Sequence, residues 1–95
     1  MKTTKQNQHL HNALLEVIQN QLDNNEPKET RETLDRLIAE GHTEAEAMDL
    51  ISHVVAAEVI GVLSEGRTYD ESLYLAALHA LPTLPGASKH KKQTP

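Results

Sequence analysis

Ninety-five residues with 38% apolar side chains, no Phe, no Trp and only Tyr69 and Tyr74 allow one modest core of Leu, Ile, Val, Ala and Met, a composition that favours helix packing in a single domain. The absence of cysteine excludes a disulfide framework, a thiolate metal site and a thiol nucleophile. The formal charge of −5 hides a division: five lysines lie in the terminal segments, leaving residues 7–85 with four basic and fourteen acidic side chains, a net of −10. Such a body repels phosphate backbones, so nucleic acid is not an expected partner and basic protein surfaces are better electrostatic ones.

Residues 1–6 are polar and unpatterned and read as a mobile tail. The opening MKTTKQNQHLHN runs into no apolar stretch of the kind a secretory signal needs. From Gln8 to Asp23, Leu10, Ala13, Leu14, Val17, Ile18 and Leu22 recur at three and four residues and predict an amphipathic helix, with Leu15 off the stripe. The DNNEP segment stops it, and Pro27 suits the first turn of a second helix, capped by Asn25 or Glu26.

Helix two, Pro27 to Glu40, carries a thin stripe of Thr30, Leu34, Leu37 and Ile38 and reads as a surface helix closed by Gly41. Thr43 and Glu46 form a capping-box signature that opens helix three. That helix runs to Glu65 before Gly66 and is apolar round most of its circumference, as befits the middle of a bundle or a subunit contact. Glu58 interrupts the longest apolar run, so no membrane span is expected, and the expected location is the cytoplasm. Helix four, Glu71 to Leu81, is capped by Asp70 or by Thr68 with Glu71 and stopped by Pro82 and Pro85, with Leu73, Tyr74, Ala77, Leu78 and Leu81 facing in. Short connections favour antiparallel neighbours. The expected architecture is all-α: a compact four-helix domain over residues 7–85 around helix three, with mobile termini that include a basic tail over 86–95.

Glu58 is the most unusual position. At about 100° per residue it shares the direction of Ala47, Ile51, Val54, Val55 and Val62. A carboxylate there must be paired, hydrogen-bonded or protonated. Gln21, near the centre of helix one's stripe, is the first-choice partner, with Arg31, Tyr74 and Arg67 as the other candidates. The pair reads as a structural polar contact, or else as a ligand or proton site.

Asp49 and His53 lie one turn apart, with Glu46 a turn earlier, a weak metal-ligand spacing with no converging fourth ligand. No serine or threonine sits in a nucleophile elbow, and the four glycines are too dispersed for a phosphate loop, so no enzyme is expected and no cofactor is implied. Leu50, Ile60 and Leu75 lie off the main stripes and are the interface candidates.

The stretch over residues 20–82 also resembles a group of short bacterial all-helical proteins known only as a domain of unknown function. The likeness rests on Asn20-Gln21-Leu22, Arg36-Leu37, Gly41, Glu46-Ala47, the apolar helix with Glu58, Gly66-Arg67 and Tyr74. It implies a helical fold and attaches no activity. The function that follows from the sequence is a protein-interaction or structural module, with a homo-oligomer as one form. The alternative is a small-ligand or metal-binding protein that uses the core carboxylate.

Overall fold

The computed structural model describes residues 2–85, with side chains from Gln8 onward. Four helices follow one another: α1 Lys2–Asn24, α2 Lys28–Ala39, α3 Glu44–Glu65 and α4 Glu71–Ala80, with no strand among the described residues. α1 packs on α2 and α3, α3 on α2 and α4, and α2 on α4, so α3 touches every other helix. Residues 86–95, read above as a tail, lie outside the described residues. α1 begins earlier than the sequence pattern suggests, because Lys and Gln favour helix and nothing near the start breaks it.

The helix ends follow from their residues. Thr43 Oγ1 accepts from Glu46 N at 3.0 Å and Glu46 Oε1 accepts from Thr43 N at 3.0 Å, completing the capping box. Gly66, at φ 65°, ends α3 in the left-handed region. Of the two caps open for α4, the structure uses Asp70, whose Oδ1 accepts from Leu73 N at 3.2 Å. α2 differs from expectation: neither Asn25 nor Glu26 caps it, and Pro27 itself is the extended N-cap residue. Pro27 has no N–H to satisfy, which is the property that also suits proline to the first turn.

The core is Ile18, Leu22, Leu34, Leu37, Ala47, Ile51, Val54, Val55, Tyr74, Leu78 and Leu81. On α1 the buried face is turned from the predicted stripe. Leu15 packs against the core, whereas Leu10 is 58% and Val17 41% exposed. One helix contacts α2 and α3 over a narrower arc than its apolar residues span, and the surplus is left outside.

Arg36 closes α4 from a distance, donating from Nη1 to Leu81 O at 2.9 Å and from Nη2 to Leu78 O at 3.1 Å. These carbonyls lie at the end of α4, where intrahelical donors run out. Arg36→Ala is expected to lower stability by about 2 kcal/mol, the scale of hydrogen bonds from a charged donor. A urea midpoint that falls at unchanged slope would report it.

α3 is two-faced. Ala47, Ile51, Ser52, Val54 and Val55 are buried, and none of the residues after Val55 is. By length and composition the helix is apolar enough to cross a membrane, contrary to the expectation that Glu58 rules this out, yet only 28% of its most apolar stretch is buried. The core helix of a bundle meets the same criterion, but a large share of this one remains uncovered.

Candidate functional site

Three polar groups hold the bundle together, and the first contains Glu58. Its side chain is 11% exposed and faces the loop between α3 and α4. Arg67 grips the carboxylate with both ends of its guanidinium, Nη1 to Oε2 at 2.8 Å and Nη2 to Oε1 at 3.1 Å. Asp70 N donates to Oε2 at 3.0 Å, and Arg67 also reaches Glu65 Oε1 at 3.0 Å and Thr68 O at 3.1 Å. The expected bond to Gln21 is therefore not formed. Glu58 lies toward the C-terminal end of α3, where the chain turning through Gly66 brings the Arg67 cation and the Asp70 backbone N–H.

Gly61 makes room for this clamp. A Cβ there would collide with Nη2 of Arg67. The guanidinium lies against the helix backbone because no side chain intervenes. Gly61→Ala is expected to displace Arg67 and to lower the melting temperature despite the higher helix propensity of alanine; an unchanged or higher value would show that the clamp carries no stability.

Arg67's hydrogen bonds, and secondarily the Asp70 N–H, hold the Glu58 carboxyl below its ordinary 4.5 against the opposing effect of burial. Arg67 is in turn raised above its already high value, first by Glu58. Because folding depresses the Glu58 pKa, the stability it contributes is fully present above about 4.5 and is lost as pH falls through the lower folded value. The urea midpoint should thus fall below pH 4.5 less steeply in Glu58→Gln than in the wild-type chain, although the variant starts lower at neutral pH. Parallel profiles would contradict this role.

Gln21 is the centre of the second group. Its Oε1 accepts from Thr30 Oγ1 at 2.7 Å and from Tyr74 OH at 2.9 Å, tying α1 to α2 and α4. Thr30 is fully buried and Tyr74 is 3% exposed, so these hydroxyls have no water to fall back on. Burial raises the Tyr74 phenol despite the opposing hydrogen bonds to Thr30 and Gln21, and Tyr69, whose ring centroid lies 6.0 Å away, is raised chiefly by burial and then by Glu71. Arg36 on the α4 carbonyls is the third group. Among the described residues no buried side-chain polar atom lacks a partner.

The weak metal set is spread out. Glu46 is engaged in the α3 cap, with His42 Nδ1 3.8 Å from its Oε1. Asp49 lies between two imidazoles, His11 Nδ1 at 3.8 Å and His53 Nδ1 at 3.9 Å, and His53 Nδ1 is 2.9 Å from the Asp49 carbonyl. Among the described residues no group of three or more His, Asp or Glu is placed to hold a metal ion. His11 joins this cluster from α1, a contact that helical spacing within α3 could not reveal.

The interface candidates separate. Leu50 and Leu75 are half-buried against the core, while Ile60 is 62% exposed. Val59 at 45% and Leu63 at 78% flank Ile60 within about 100° of arc in the second half of α3. The same face carries a hollow of about 190 Å³ between α1 and α3, lined by Leu10, His11, Leu14, Ser52, His53 and Ala56. A second, of about 330 Å³, lies where His11 and Leu15 meet Glu44, Ala45 and Met48.

Comparison with protein-family models, curated proteins and solved structures finds no significant match to this chain.

Proposed function

We propose that the chain is a non-enzymatic protein-interaction module that works through the outer face of α3, and that its inner polar groups are braces. One observation carries the reading: Val59, Ile60 and Leu63 are 45%, 62% and 78% exposed and adjacent in the second half of α3, whose buried residues all lie before residue 56. Contiguous exposed apolar surface on a small soluble domain marks an interaction site. The Glu58 carboxylate, the Gln21 side-chain oxygen and the Arg36 guanidinium are hydrogen-bonded within the fold, which supports a structural role for each.

The test is a photo-crosslinking side chain placed at Leu63 of the full chain in cells, with Arg31 on the outer side of α2 as the control position. Protein adducts at 63 that are absent at 31 are the expected result. Equal or absent crosslinking at both positions would end the reading.

A small-ligand reading draws on the apolar hollow between α1 and α3. Its test is thermal stability across a panel of divalent ions and metabolites, since a ligand of the native state raises stability by mass action.

A further inference from the structure

Resting on the interaction reading above, we infer that the partner at this face is a second copy of the same chain. In the pair, α3 packs on α3 about a two-fold axis near Val59 and Ile60, and Leu63 of each copy enters the other's hollow beside Ala56. The shape of this face suits such a pairing. Leu63 is the most exposed of the large apolar side chains among the described residues, at 78%, and the hollow lined by Ala56, Ser52 and His53 lies on the same side of the same helix. Residues 52, 56, 59, 60 and 63 fall within an arc of about 100° on an α-helix, and seven residues separate Leu63 from Ala56 by about 10 Å. A two-fold axis midway between them carries each knob onto the other copy's hollow. A surface bearing both halves of a contact is self-complementary, which is what a closed two-fold dimer requires.

The distribution of charge favours the same pairing. Every helix presents exposed carboxylates: Glu16 and Asp23 on α1, Glu32 and Asp35 on α2, Glu44 and Asp49 early in α3, and Glu71 on α4. Two copies with a net charge of −10 over residues 7–85 repel each other through those faces. From Leu50 to Ser64 the only formal charge is Glu58, which turns away and is neutralised by Arg67. Stacking α3 on α3 therefore sets no like charges against each other. A basic partner would be drawn to the acidic faces, because this stretch offers it no counter-charge.

The experiment is sedimentation equilibrium of the full chain from about 1 μM to about 1 mM, the range of weak to moderate self-association. The wild-type chain is expected to approach twice its 10.5 kDa mass. Leu63→Glu should weaken the dimer ~30-fold or more, as loss of an anchor does, with helical circular dichroism unchanged. Added salt should leave the dimer intact or tighten it by screening the repulsion between the bodies. Because the chain has no cysteine, Ile60→Cys gives an independent readout: it should oxidise to a disulfide dimer, while Asp35→Cys on α2 should not.

A strict monomer that still yields crosslinked adducts of another mass at Leu63 would overturn the second-copy inference and leave the interaction reading standing. A monomer with no adducts would remove both. A dimer that survives Leu63→Glu and dissolves in salt would assign association to the basic segment with Lys89, Lys91 and Lys92, and co-sedimentation with lipid vesicles in place of dimer mass would assign the face to a membrane. Either result overturns the inference.

Discussion

Truncating Ile51 to alanine is expected to cost about 3 kcal/mol, whereas the same change at Ile60 should alter the stability of the dilute chain by less than about 0.5 kcal/mol. The two residues are identical, nine positions apart on one helix, and equally suited to helix by propensity. Ile51 is fully buried and Ile60 is 62% exposed. Deleting buried methylenes loses both their transfer energy and the packing around the cavity, while deleting exposed ones loses little of either. A domain of this size holds only some 5–15 kcal/mol of stability, so the Ile51 variant should sit visibly closer to unfolding. Urea denaturation at low protein concentration gives both values. Equal losses would show that α3 is covered on both sides in the isolated chain.

Gln21→Leu is expected to cost about 2–3 kcal/mol, although leucine is the more apolar residue and the site is half-buried. The substitution removes the one acceptor shared by Thr30 Oγ1 and Tyr74 OH. A buried hydroxyl without a partner costs roughly 1–3 kcal/mol, and two are stranded here, with the gain from burying leucine offsetting part. The effect should be strongly non-additive. Replacing Gln21 with Leu, Thr30 with Val and Tyr74 with Phe together removes donors and acceptor alike and should recover most of the loss. If the triple variant were instead as unstable as the sum of the single ones, the three groups would be acting independently.

The features readable in the sequence are those set by local chemistry. Thr43 with Glu46, Gly66, Asp70 and Gly41 specify helix ends within one turn, and the structure uses each of them, Gly41 at φ 111°. The burial of Ile51, Val54 and Leu78 follows from periodicity alone. Pairings between elements are less legible. Helical periodicity puts Glu58 and Gln21 on inward faces, but direction around an axis gives no position along the bundle, so it does not decide that Arg67 takes Glu58 while Thr30 and Tyr74 take Gln21. The same reason explains Leu50 and Leu75. They lie off their own stripes yet pack against the core, and among the described residues the exposed large apolar side chains are Leu10, Val17, Val59, Ile60, Leu63 and Tyr69, with Ile38 and Leu73, which the periodicity places facing inward. Arg36 reaches carbonyls 42 and 45 residues away, a contact that no local pattern encodes.

A dilution series of methyl NMR spectra on the full chain separates the core residues of α3 from its proposed docking residues. The methyl resonances of Val59, Ile60, Leu63 and Leu10 are expected to shift with concentration while those of Ile51, Val54 and Leu78 stay fixed. Spectra unchanged at every concentration, or shifts led by the core methyls, would contradict that division.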